Sequence, residues 1–393
     1  MPNAPTAPVI LGGTPGSFAR DVFHERHPKL IQQVLDALPY GPAVREAAER
    51  LLAESTSGLM QPLGQNAHDY AQWAAWGTGL YGRPWGEAPF LWAESYFYRR
   101  LLEATGYFRP GAWQGIDPFA PFKNTELASA AVDSELAALD DLPLLPEEAR
   151  FQALLSSALW GNRADLSFQL TASVSGGHST ALLVDDSATL RATLAAANNP
   201  QVTFLADNAG RELLPDLVLI DHLLVTGLAV EVTLYVKPAP YYVSDATTAD
   251  VLATVERLVA GRGKEAELIG RRLWSAMSKG TLTVQTHPFL FAPLPFHDMP
   301  DDLRSELAGS ALTLVKGDLN YRRLVGDRRW DATEPFAGLV SSFPSPVAAL
   351  RTLKSDVAVG LDATVVARLD AAEKSWRTSG TYGLIQAYSP TRL

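Results

Sequence analysis

The chain has 393 residues, of which 47% are apolar and 19% charged, with a formal net charge of −10. That balance provides for a substantial packed core and excludes the apolar-poor, charge-dense profile of a disordered chain. The acidic charge argues against a nucleic-acid partner, because phosphate backbones reward clustered Lys and Arg.

Cysteine is absent, which removes disulfides, thiolate zinc sites and a cysteine nucleophile together. The Pro-, Ala- and Gly-rich stretch from Met1 to Gly16 lacks the basic and apolar regions of a signal peptide. No run reaches the roughly 18 apolar residues that a membrane span needs. A cytoplasmic protein with no membrane partner is expected, and nothing in the sequence fixes its oligomeric state.

From Phe18 to Leu159 the pattern is helical. Leu30, Ile31, Val34 and Leu38 predict a helix over Pro28–Leu38, and Phe90, Phe97, Leu101 and Phe108 predict one over Phe90–Phe108. Pro39, Pro84, Pro110, Pro118 and Pro143 break the helical pattern. From Leu166 onward, β-rich runs alternate with helical ones. The predicted strands are Leu166–Leu170, Thr180–Val184, Val202–Leu205, Val230–Val236, Leu282–Thr286, Leu312–Val315 and Leu339–Ser342. Glu212–Val225, Ala249–Ala260 and Glu265–Met277 are the helices predicted among them.

This alternation predicts an α/β fold, with a mostly parallel, Rossmann-like sheet flanked by helices. Two domains follow: a helical N-terminal domain at 1–160 and an α/β domain at 161–393, the one in which a metal-binding catalytic site is to be sought. Ligands of such sheets sit beyond the carboxyl ends of the strands, so chemistry is sought just after each strand.

The first such place is Phe204-Leu205-Ala206-Asp207-Asn208-Ala209-Gly210-Arg211-Glu212. Asp and Asn oxygens at a strand end suit a hard cation such as Mg²⁺ or Mn²⁺, and the helix that follows offers free N–H groups to an anion. An ordinary turn with a capping side chain accounts for Asn208-Ala209-Gly210 equally well. A second acid, Asp245 in Val243-Ser244-Asp245, follows the strand Val230–Val236. It can share a cation with Asp207 if the two strands are neighbours, or Ser244 or Asp245 can cap the next helix.

A third segment, Lys316-Gly317-Asp318-Leu319-Asn320-Tyr321-Arg322, puts cations, an acid and an amide behind an apolar strand. Arg and Lys can hold phosphate oxygens there, and a solvated loop with local ion pairs is the other reading. Arg351-Thr352-Leu353-Lys354 is the fourth, and two cations on a surface helix explain it as readily. Gly12-Gly13-Thr14-Pro15-Gly16 follows no strand and lacks the Walker lysine. Ser175-Gly176-Gly177-His178 is no nucleophile elbow, and the seven histidines show no zinc-protease spacing.

Taken in order, Asp-Asn-Ala-Gly at 207–210 with Glu212, Val-Ser-Asp at 243–245, Lys-Gly-Asp-Leu-Asn-Tyr-Arg at 316–322 and Arg-Thr-x-Lys at 351–354 resemble the damage-control phosphatase family, formerly a domain of unknown function. The Arg-Thr-x-Lys element is similar to that of the subfamily of acidic-residue methyltransferase homologues, which acts on sugar phosphates. Gly16-Ser17-Phe18-Ala19 with Arg26 and Pro28, Glu94 with Tyr98-Arg99-Arg100, and Leu159-Trp160-Gly161-Asn162 with Asp165-Leu166-Ser167 extend the resemblance over nearly the whole chain.

The resemblance implies a helical domain packed on an α/β core. It implies Asp207, Asn208 and Asp245 as ligands of a divalent metal ion (Mn, Mg, Co or Ni), and Asp318, Asn320, Tyr321, Arg322 and Lys354 as substrate-binding residues. Glu212 matches a further ligand contact, and Lys316 opens the substrate segment. Arg211 departs from the apolar residue found in relatives, which bears on substrate preference.

The expected activity is metal-dependent hydrolysis of a small phosphorylated metabolite, with fructose 1-phosphate or fructose 6-phosphate as the leading class. The attacking group is water or the Asp207 carboxylate. The alternative is S-adenosylmethionine-dependent methylation of protein carboxylates, for which no Gly-rich adenosylmethionine loop is evident.

Overall fold

The computed structural model describes residues 7–161 and 181–390. The predicted strand Leu166–Leu170, the elements Asp165–Ser167 and Ser175–His178, and Asn162 lie outside the described residues.

Among the described residues, seven strands form one sheet in the order β1-β7-β6-β5-β2-β3-β4. They are β1 (Leu182–Asp185), β2 (Gln201–Leu205), β3 (Glu231–Val236), β4 (Leu282–Thr286), β5 (Leu312–Lys316), β6 (Val347–Thr352) and β7 (Gly383–Tyr388). All neighbouring pairs are parallel except β6 and β7, which run antiparallel. The mostly parallel α/β fold is therefore as predicted. The reason lies in strands such as Leu312–Lys316 and Val347–Thr352, which are buried at every position. Strands apolar on both faces belong inside a sheet covered on both sides.

Side-chain alternation divides those faces. On one side Leu205, Tyr235, Val315, Val347 and Ala349 share a core with N-terminal residues such as Phe23, Val34, Phe90 and Phe97. On the other, Phe204, Leu234, Leu314 and Ala348 pack with Phe151, Leu155, Leu217 and Leu273. The helices His27–Ala37 and Phe90–Thr105 thus lie on one face, while Glu147–Trp160 lies on the other. The helix Phe90–Thr105 stops three residues before the predicted end because Gly106 takes a left-handed φ of 81° and closes the helix.

Two expectations need correcting. Leu339–Ser342 is not a strand: Phe336–Val340 is a short helix whose Phe336 and Val340 enter the core, and its apolar run is too short for periodicity to separate the two. The strand lies later, at Val347–Thr352, and β7 was not predicted at all.

From β2 the chain moves outward through β3 and β4, then returns to place β5 on the other side of β2. The sheet therefore changes direction between β2 and β5. Asp207 and Gly317 follow these two strands directly, at the kind of switch point where α/β sheets hold ligands.

Candidate active site

Beyond the carboxyl ends of β2, β3, β5 and β6 lies a cleft of about 500 Å³. Asp207, Asn208, Asp245, Asp318, Arg322 and Lys354 line it. So residues from all four sequence segments meet in one place. On the far side of the sheet ends, the N-terminal helices contribute Phe18, Arg26, His27, Glu94 and Tyr98 to the same cleft.

The segment after β3 is pinned against that after β2. Asn208 and Asp245 form an isolated bridge, Ala246 N–H donates to Asp207 C=O at 2.8 Å and Ser244 Oγ donates to Asn208 Oδ1 at 2.7 Å. The helix after Asp245 is capped by Thr247, which forms a capping box with Asp250, so neither Ser244 nor Asp245 is spent on capping. Lys123, from the N-terminal half, donates to the Asp245 carbonyl, Asp117 and Asp250, each at 3.0 Å, and so clamps this segment from behind.

Gly317 explains how β5 comes so close. Its φ is +83°, and a Cβ there would lie 1.8 Å from Asp207 Oδ2. Only glycine leaves the Asp207 carboxylate in place.

The carboxylates are unusual chemically. Asp207 and Asp245 are both buried. Burial raises the Asp207 carboxyl well above the carboxylate range, and the charges of Asp245 and Glu212 add to it. Burial likewise raises Asp245 to about 6, held back by Lys237 and Lys123. Among the described residues Asp245 Oδ2 accepts no hydrogen bond, although Lys237 Nζ stands 3.4 Å away as an ion-pair partner.

Two adjacent buried acids with an unmet acceptor and an amide oxygen beside them fit a hard divalent cation, which favours oxygen donors. The amide of Asn208 is itself oriented by Glu212 Oε2 at 2.9 Å. These residues suit such a group in donor type and charge.

The remaining predicted residues fall into two layers. Lys354 Nζ reaches the cleft and lies 3.4 Å from Glu212 Oε1. Burial works against its charge, but the Glu212, Asp207 and Asp318 carboxylates outweigh that and raise its pKa. Glu212 links Asn208 to Lys354. Asp318 is held by the Arg351 guanidinium at 2.7 Å and by Ser355 Oγ at 3.0 Å. Arg351 is fully buried at the end of β6, so this segment is not a surface helix.

Arg322 faces the cleft with its guanidinium already engaged: Nε donates to Asp327 Oδ1 at 2.8 Å and Nη1 to Glu94 Oε2 at 3.0 Å. Lys316, Asn320 and Tyr321 lie beneath the cleft. Lys316 pairs with Asp216 at 2.9 Å, Asn320 donates to Ala206 C=O and Lys316 C=O, both at 2.9 Å, and Tyr321 OH donates to Gln386 at 2.7 Å. Lys316 thus ties the end of β5 to the helix Leu213–Thr226, while Asn320 and Tyr321 tie the segment after it to the end of β2 and to β7.

Arg211 pairs with Glu135. Lys237 was missed by sequence reasoning: it is buried between Asp245 and Asn320, and burial lowers its pKa. A lysine directly after a strand aimed at a predicted acidic site was the available signal.

Comparison with known proteins places the chain in a family. The model of the damage-control phosphatase ARMT1-like domain matches residues 22–369. Damage-control phosphatase ARMT1 of Danio rerio is 32% identical over 96% of this chain and 96% of its own. The Homo sapiens protein of that name is 30% identical over 98% and 99%. A crystal structure of a DUF89 family protein from Pyrococcus horikoshii shares the fold, with a TM-score of 0.51 at 15% identity over 93% of this chain and 97% of that one. The chain belongs to the ARMT1-like damage-control phosphatase family.

Proposed function

We propose that the chain is a divalent-cation-dependent phosphomonoesterase acting on small phosphorylated metabolites, with hexose monophosphates such as fructose 1-phosphate and fructose 6-phosphate as its leading substrates. The observation that carries this reading is the buried pair Asp207 and Asp245 at the switch point, with cations around it. Family membership supports the phosphatase part, and the relatives at about 30% identity are named phosphatases over nearly their full length.

Asp207, Asn208 and Asp245 would hold the cation, which when bound neutralises charge developing on the phosphoryl group. The protein's own part is positioning and electrostatics, the terms that dominate phosphoryl transfer. Lys354 supplies an ammonium to the phosphoryl oxygens while Glu212 keeps it at the cleft. Asp318, fixed by Arg351 and Ser355, offers acceptors to substrate hydroxyls. The Arg322–Glu94–Asp327 cluster sets the floor against which the substrate rests.

The test is phosphate release from a panel of sugar phosphates and an aryl phosphate, with and without Mn²⁺, and with and without added S-adenosylmethionine. Release that needs the metal and ignores the methyl donor is expected. No release from any ester under any condition would overturn the reading.

A further inference from the structure

The arginine predicted to hold phosphate, Arg322, already gives three hydrogen bonds to Asp327 and Glu94. A guanidinium locked to two carboxylates has little to offer a phosphate dianion. Another arginine of the cleft is in the opposite condition. Arg26 lines the same cleft, is exposed, and its side chain forms no hydrogen bond or ion pair with any described residue.

Its guanidinium is not adrift, because the carbon at its centre sits 4.7 Å over the Phe18 ring. Stacking on an aromatic face restrains the side chain and leaves its N–H edge available. Arg26 also ends a π-helical turn, Val22–Arg26, a rare geometry that recurs at functional sites. The charges of Arg26, Glu94 and Asp245 are near enough to act together on the buried Tyr98 hydroxyl, which also lines the cleft. Beside it, the His27 ring is kept neutral by burial and by the Arg26 charge, its pKa lowered to about 3. Arg26 therefore has no cationic competitor in that neighbour.

We infer that Arg26, from the N-terminal helices, grips the phosphoryl oxygens of the substrate through its planar fork, with Phe18 as the brace that holds it ready. The inference rests on the phosphatase reading above. It assigns the N-terminal layer a direct part in binding, alongside Lys354 from the sheet.

The test uses the full-length protein loaded with Mn²⁺. The Kd of inorganic phosphate is measured by calorimetry, and kcat and KM for fructose 1-phosphate by phosphate release. Arg26→Ala is expected to raise both the phosphate Kd and the sugar-phosphate KM at least tenfold, with an unchanged melting temperature. Arg26→Lys should recover only part, since an ammonium lacks the bidentate fork. Phe18→Leu should move both constants the same way by a smaller factor.

An unchanged phosphate Kd in Arg26→Ala overturns the inference, whether or not KM moves, because the contact would then lie on the leaving group or nowhere. Failure of the phosphatase reading looks different: the parent protein would bind phosphate in an Arg26-dependent way and release none from any ester.

Discussion

Replacing Gly317 with Ala asks the most of the proposed site geometry for the smallest chemical change. A Cβ at this position would lie 1.8 Å from Asp207 Oδ2, 1.9 Å from its Cγ and 2.4 Å from Oδ1, where ordinary contact begins at 3.4 Å. The carboxylate must therefore give way by more than an ångström. The backbone adds to the strain, because φ is +83° and a left-handed conformation costs an alanine about 1–2 kcal/mol.

Displacement of a reacting or coordinating group by about 1 Å costs on the order of 100-fold in rate. Gly317→Ala should therefore lose at least about 100-fold in kcat on fructose 1-phosphate at saturating Mn²⁺, and about 1–2 kcal/mol in a urea melt. A variant that turns over within a few-fold of the parent would refute the placement of Asp207 at the centre of the chemistry. A large loss of stability with kcat preserved would do the same.

Lys354→Ala should lower kcat/KM by at least several-fold, and Lys354→Arg should not restore it fully, since the fork differs in shape from an ammonium; parent rates in Lys354→Ala would put this lysine outside the site. Arg322→Ala should cost about 3–5 kcal/mol of stability, because it strands two buried acids, and Arg322→Lys part of that. A soluble, stable Arg322→Ala protein with only KM raised would show it free for substrate instead.

Asp207→Asn and Asp245→Asn should each lose most activity and bind Mn²⁺ far more weakly, while the metal-free fold is unchanged or slightly more stable, since one of two repelling acids is gone; retained metal affinity and activity would leave them as ordinary turn residues. The same pair fixes a pH effect. Asp245 has its pKa raised to about 6 in the fold, against about 3.9 in an unfolded chain, so the folded state holds the extra proton. The stability it contributes is full below about pH 4 and is lost as pH rises towards about 6. Urea melts of the metal-free protein between those limits should show that slope, and Asp245→Asn should flatten it.

Much of this was legible in the sequence because the signals were local. Asp207-Asn208 and Lys316-Gly317-Asp318 each follow a strand whose apolar run ends abruptly, so the turn from strand to site could be read directly. What was not legible depended on partners distant in sequence. Nothing local ties Arg322 to Glu94, 228 positions away, or marks Lys123 as the clamp behind Asp245, 122 positions away.

The strand β6 was hidden because Val347–Leu350 contains two alanines, which carry no strand preference. β7 begins at a glycine and includes a buried Gln386, so it offered no clean alternation. The sequence reading offered Ser244 or Asp245 as the cap of the helix after Asp245, whereas the cap is Thr247, whose box is closed by Asp250.

The central claim is that the paired carboxylates serve a divalent cation in phosphate ester hydrolysis. The most direct measurement is phosphate release from fructose 1-phosphate by protein stripped with a chelator, dialysed, and then titrated with Mn²⁺, Co²⁺, Ni²⁺ or Mg²⁺. The account predicts that activity vanishes on stripping and returns saturably with at least one of these ions, and that Asp245→Asn needs far more of it. Full activity in the stripped protein, with metal below the protein concentration by elemental analysis, would contradict the account.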